Sequence, residues 1–199
     1  MEVHTSHLVV SPVPHVRASL TTRRVMANVI LALLPALIAS VVIFGLRALL
    51  VTAVTVAACV AMEWAWCVLR HEKQTVGDLS AVVTGLLLAF NLPGTVPLYL
   101  PIIGAAAAIL VTKQLFGGIG HNFANPAIVG RIALAVSFPS LMTAYPYPRT
   151  LSGVDILSSA TPLAAHGQRL PLLDLLLGTH GGVLGETCAL ALLIGFGWL

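Results

Sequence analysis

Two apolar runs, roughly Val25 to Phe44 and Ala48 to Leu69, separated only by a short hinge at Gly45 and Arg47, constrain this chain more than any other feature. Each is about 20 residues long, the length a helix needs to cross the hydrocarbon core of a bilayer. A water-facing surface cannot be built around them: 9% of the 199 residues are charged, against about 25% in soluble globular domains. Because lipid offers no hydrogen bonds to an exposed backbone, spans of this kind are helical. The expected fold is therefore an all-α polytopic membrane protein with about six transmembrane or half-membrane helices.

The remaining apolar stretches are less regular. Leu79 to Leu92 is short, and Pro93, Gly94, Pro97 and Pro101 interrupt the chain before Ile102 to Leu115 resumes the run. This pattern reads either as two short spans or as a re-entrant pair of broken helices, the latter requiring shelter within protein. A fifth span is expected from about Pro126 to Met142 and a sixth from near Gly182. The run ends at Leu199 without a flanking charge, which reads as a C-terminally truncated piece of a longer protein. The chain then divides into four regions: an N-terminal cytoplasmic segment (1–24), the membrane helices with the broken pair (25–142), an outer loop (143–181) and the start of a further helix (182–199).

Charge placement orients these spans. The segments on the N-terminal side of the membrane hold Arg17, Arg23, Arg24, Arg70, Lys73 and Lys113, with Arg131 near that face, whereas the opposite side holds Arg47, Arg149 and Arg169. Positive-inside bias puts the N-terminus in the cytoplasm and the loop around residues 143–180 outside it. The net charge of +3 is a matter of orientation, and no nucleic-acid partner is expected. Cys59, Cys67 and Cys188 lie in apolar runs without a CxxC pairing or a histidine at ligand spacing, and read as small hydrophobes.

The polar outer loop contains Asp155-Ile156-Leu157-Ser158-Ser159-Ala160-Thr161, followed by Pro162. This stretch resembles the acceptor at which a flavin transferase esterifies FMN onto threonine. A threonine hydroxyl is a poor nucleophile by itself, so an external enzyme must activate it. Small residues beside Thr161, and a proline that stops a helix after it, suit a peptide that such an enzyme grips in extended form. Asp155, Ser158 and Ser159 would serve recognition. An ordinary Ser/Thr turn is the bland alternative.

A second constellation runs from Lys113-Gln114-Leu115-Phe116-Gly117-Gly118-Ile119-Gly120-His121-Asn122-Phe123-Ala124-Asn125-Pro126-Ala127 to Gly130 and Arg131. Its glycines permit close backbone approach, and Asn125-Pro126 suits the start of a helix. It reads either as a cofactor or phosphate cradle, with Asn125 and Arg131 as contacts, or as a glycine-rich helix connection. Among carboxylates in apolar surroundings, Glu63, beside Trp64 and Trp66, reads as an interfacial group, while Glu186 is a candidate for an ion path. His121, His166 and His180 read as loop histidines.

These stretches, together with Ser11-Pro12, Asn28 to Ala36, Asp78 to Leu88, Asn91-Leu92-Pro93 and Gly185-Glu186-Thr187, resemble the family of D subunits of Rnf-type ion-translocating electron-transport complexes. They are more distantly similar to the B subunit of the sodium-pumping NADH:quinone oxidoreductase. The Lys113 block and the acceptor are the specific matches. Ser159 stands where glycine or another small residue is usual.

The resemblance implies covalent FMN on Thr161 and leaves a second, non-covalent flavin open. It implies electron relay coupled to Na+ or H+ transport between NAD(H) and ferredoxin or quinone. The implied partners are a second flavinylated subunit, iron–sulphur membrane subunits, a soluble electron-input subunit, and a flavin transferase for maturation. The implied location is the inner membrane. The family fold looks like two inverted bundles of urea-channel-like architecture. A channel or transporter without redox function is the competing reading.

Overall fold

The computed structural model describes residues 20–146, 158–159 and 171–199. Helix α1 spans Thr22–Phe44, with the Thr21 hydroxyl accepting the Arg24 N–H at its start. Gly45, at φ 80°, closes it through an N–H bond to the Val41 carbonyl, so that α2, Leu46–Leu69, begins at once. With 23 and 24 residues at a rise of about 1.5 Å each, both helices exceed the roughly 30 Å hydrocarbon thickness. Their outer faces expose Leu31, Ile38, Val42, Leu46, Leu49 and Leu50, as lipid contact requires and water does not permit.

The next two helical segments are shorter than a full span. A 3₁₀ turn, Val76–Asp78, leads to α3, Ser80–Phe90, and α4 runs from Tyr99–Ala106 into a π-helical stretch, Ala107–Gln114. Helix α5 is Pro126–Ser137 and α6 is Pro139–Met142. Two short strands, β1 Tyr145–Pro146 and β2 Ser158–Ser159, pair antiparallel, and helices α7, Leu172–Leu177, and α8, Ala189–Trp198, complete the described residues.

Two expected spans take a different form. The apolar run from Pro126 to Met142 is not one helix, because Phe138 adopts φ −134°, ψ 57° ahead of Pro139, which disfavours helical backbone in the residue before it. The stretch entered at Gly182 stays irregular to Cys188 and becomes helical at Ala189. Its backbone is used elsewhere: the Leu184 and Gly185 N–H groups donate to the carbonyls of Leu92 and Phe90 at 3.1 and 3.0 Å.

Those bonds explain how the break between α3 and α4 survives in an apolar bundle. Leu92, Pro93, Gly94 and Val96 are buried, so their polar groups need protein partners. Arg47 donates from Nε to the Gly94 carbonyl at 3.1 Å and from Nη2 to Thr95 and Val96 at 3.4 and 3.3 Å. Arg131 donates to the Asn91 carbonyl, and Thr95 Oγ1 donates to the Ala144 carbonyl at 2.7 Å. The proline-rich interruption is thus a sheltered helix break pinned by two arginines.

Small residues bring the helices together, as close packing in lipid favours. A Cβ placed on Gly85 of α3 would stand 2.7 Å from the Val56 Cα of α2, and one on Gly130 of α5 would stand 2.7 Å from the Gly104 carbonyl oxygen of α4. Around these crossings lie two buried clusters. One contains Ile43, Val51, Leu92, Leu100, Leu134 and Leu184; the other contains Cys59, Ala81, Leu88, Ala105 and Ile109.

Candidate functional site

The glycine-rich connection between α4 and α5 shapes one end of the bundle. The π-helical turns close with the Gly118 N–H on the Lys113 carbonyl at 3.0 Å, and Gly117, Gly118 and Gly120 follow at φ 103°, 86° and 89°. Such angles suit glycine because a Cβ would crowd the backbone. Asn125 then caps α5 by accepting the Ala127 N–H at 3.0 Å, with Pro126 in its first turn. The connection folds over a cavity of about 300 Å³ lined by Met26, Ser80, Thr84, Lys113, Asn122 and Asn125, among others. A volume near 300 Å³ lies at the lower end of the range of small-molecule pockets. Apolar walls with a few convergent polar groups are also typical of them.

Lys113 faces this cavity from the π-helical segment, yet it is 2% exposed, and Glu63 of α2 is 0% exposed. The two form an ion pair, Nζ to Oε2 2.7 Å. Lys113 Nζ also donates to Ser80 Oγ at 2.6 Å, and the Ser80 hydroxyl donates its own proton to Asp78 Oδ1 at 2.5 Å. On the other flank, Thr75 Oγ1 donates to Glu63 Oε1 at 2.5 Å. Five side chains therefore form one chain of hydrogen bonds, Thr75–Glu63–Lys113–Ser80–Asp78. Thr75 is exposed and Asp78 half-buried, so both ends reach the surface while the charged centre is dry. Burying an ion pair carries a large desolvation cost that only good geometry and added hydrogen bonds offset, and this pair has both.

The expectation that Glu63 is an interfacial carboxylate is therefore wrong. Its neighbours Trp64 and Trp66 mark the right depth on α2, but Glu63 projects to the opposite, buried side. Lys113, expected among the loop charges, is likewise a buried counter-ion. The pair is hard to read from sequence because its members stand 50 residues apart. A usable signal exists, since Glu63 and Lys113 are isolated opposite charges in separate apolar runs, and such groups find each other.

The other candidates are dispersed. Asn125 lines the cavity, but the half-buried Arg131 serves the helix break through the Asn91 carbonyl. Glu186 is exposed in the turn before α8. Ser158 and Ser159 form β2, with Ser159 opposite Tyr145 and Ser158 opposite Pro146. Asp155 and Thr161 lie outside the described residues. Ala144, next to β1, is tied to Thr95 in the helix break, which places the strand pair at the end of the bundle away from the cavity. Within the cavity, Asn122 Oδ1 is buried without a partner among the described residues.

Residues 9–199 match the family described as NQR2, RnfD, RnfE. The chain is 46% identical over 197 residues to the D subunit of the Na(+)-translocating ferredoxin:NAD(+) oxidoreductase complex of Acetobacterium woodii, covering 95% of this chain and 61% of that protein. It is 38% identical over 199 residues to the D subunit of the proton-translocating ferredoxin:NAD(+) oxidoreductase complex of Clostridium ljungdahlii, covering 94% and 60%. With the D subunit of the ion-translocating oxidoreductase complex of Shewanella amazonensis it shares 40% identity over 157 residues, covering 74% and 45%. The chain thus spans less than two thirds of the length of these relatives.

Proposed function

This chain belongs to the NQR2, RnfD, RnfE family, and on that premise we propose that it is part of a flavin-bearing membrane subunit of an ion-translocating ferredoxin:NAD+ oxidoreductase complex. The observation that carries the reading is the acceptor stretch ending in Thr161, joined to the extended, strand-paired backbone of Ser158–Ser159. An extended approach to the acceptor suits a transferase that must hold the peptide while it presents an activated phosphate. Asp155, Ser158 and Ser159 would be read by that enzyme, and Thr161 Oγ1 would carry FMN as a phosphoester. When bound, FMN supplies reversible electron acceptance that no amino-acid side chain here can provide.

A second, non-covalent flavin is assigned to the cavity at the other end. Asn122 and Asn125 offer amide donors and acceptors, Ser80 and Thr84 hydroxyls, and Met26, Val83 and Leu87 apolar contact for a flat ring. The unpartnered Asn122 Oδ1 supports a polar occupant, because buried polar atoms are normally satisfied. The two flavins would then stand at opposite ends of the bundle. With Arg23, Arg24, Arg70 and Lys73 on the cavity side, positive-inside bias makes that end cytoplasmic and Thr161 extracytoplasmic.

The short α3 and the sheltered break before α4 support an inverted-repeat, urea-channel-like architecture. The relatives named for their ion differ in it, Na+ in one and H+ in the other, so the reading covers either. Glu186, exposed before α8, is available to a cation from the outer side. Partners of the kinds implied by the family complete the electron route. A transporter without redox function would use the broken helices but leaves the Asp155–Thr161 stretch without a purpose.

Flavin fluorescence in a denaturing gel tests this directly. The protein co-expressed with a flavin transferase should give a fluorescent band, and Thr161→Val a dark one. A dark wild-type band despite an active transferase would overturn the flavoprotein reading.

A further inference from the structure

Lys113 stands between a carboxylate and a cavity. Behind it, Glu63 Oε2 lies 2.7 Å from Nζ, and Glu63 is not among the residues lining the cavity. In front, Lys113 and its second partner Ser80 both line the space assigned to the non-covalent flavin. An ammonium has three N–H donors, and Glu63 and Ser80 take two of them. The third has no partner among the described residues. Charges in such dry surroundings act on one another far more strongly than in water.

We infer that Lys113 sets the reduction potential of the flavin in this cavity, and that Glu63 sets how much of the lysine's charge that flavin feels. The inference rests on the reading that the cavity holds a flavin. Each electron added there brings one negative charge, which a fixed ammonium stabilises without a proton having to move. The nearby charged groups are few: Glu63 on α2, paired directly, and Asp78 in the 3₁₀ turn, reached through the Ser80 hydroxyl. Both are acidic and both withdraw charge from Lys113. The flavin therefore meets a partly neutralised cation, and either end of the hydrogen-bond chain can adjust it. Because Thr75 is exposed and Asp78 half-buried, the two ends of the hydrogen-bond chain reach the surface while Glu63 and the ammonium stay inside.

The test uses the full-length chain with Thr161→Val, purified in detergent, so that only non-covalent flavin remains. Flavin released on denaturation is counted, and the midpoint potential is followed by optical redox titration. Lys113→Met should lower the potential, Lys113→Arg should keep it near the parent value, and Glu63→Gln should raise it. A purely structural pair would shift Lys113→Met and Glu63→Gln the same way or leave both unmoved, and either result overturns the inference. Should Lys113→Met fail to fold, the opposite signs expected of Lys113→Gln relative to Lys113→Arg and of Glu63→Gln carry the same decision. If the Thr161→Val parent releases no flavin, the cavity reading itself falls and takes this inference with it. Flavin retained at an unchanged potential sinks the role of Lys113 alone.

Discussion

Removing the lysine charge while leaving Glu63 in place should be among the most damaging single changes to this fold. Lys113→Met deletes two charge-assisted hydrogen bonds, to Glu63 Oε2 and Ser80 Oγ, each worth about 1.5–3 kcal/mol. It also strands a carboxylate that is 0% exposed, and breaking a buried pair costs about 3–5 kcal/mol. Both routes lead to roughly 4 kcal/mol. Glu63→Leu alone should cost a similar amount, since it strands the ammonium. The double variant Glu63→Leu, Lys113→Met should recover most of the loss, because apolar replacements of a buried pair are often neutral or better. Ser80 keeps its bond to Asp78 in that variant, and Thr75 is exposed to solvent, so no hydroxyl is stranded. Reversible unfolding of the detergent-purified protein in mixed micelles, followed by far-ultraviolet circular dichroism, would give the coupling energy, expected at roughly 6 kcal/mol when two single costs of about 4 kcal/mol fall to about 2 kcal/mol in the double variant. Single-variant costs that add to the double within about 0.5 kcal/mol would refute the interaction.

Three further changes probe other parts of the account. Gly130→Val, whose Cβ would stand 2.7 Å from the Gly104 carbonyl oxygen, should separate α4 from α5 and lower stability by about 1–3 kcal/mol, read in the same unfolding assay. Arg47→Met removes three hydrogen bonds from the buried helix break and should cost about 2–4 kcal/mol, with faster protease cleavage between α3 and α4. Asn125→Ala loses the cap of α5, worth about 1 kcal/mol, and one wall of the cavity. It should weaken retention of the proposed non-covalent flavin more than it lowers thermal stability, as measured by flavin released per protein.

The sequence is most readable where a single rule governs a long stretch. Runs of apolar residues as long as α1 and α2 have one outcome, and Pro93, Gly94 and Pro97 announce a break that the structure keeps, whereas Pro101 falls in the first turn of α4. Pattern could not supply direction and partnership. Whether Glu63 turns to the interface with Trp64 and Trp66 or to the interior is a matter of helix rotation, set by where Lys113 arrives on a different helix. Arg131 looks like a cofactor contact because it closes the glycine-rich block, yet α5 turns it toward the Asn91 carbonyl. The π-helical segment that carries Lys113 leaves no mark in the local pattern, and the apolar run through Phe138 hides a helix end that only Pro139, next in the chain, suggests. The proposed acceptor stretch is a different kind of signal: a recognition sequence for an enzyme carries its information in residue identity rather than in packing.

Peptide mass spectrometry of the protein matured with its flavin transferase tests the central claim most directly. The account predicts that the fragment containing Asp155 to Thr161 carries the mass of FMN less water, with fragmentation placing it on Thr161 and on neither Ser158 nor Ser159. An unmodified fragment from a sample whose transferase flavinylates a control substrate would contradict it.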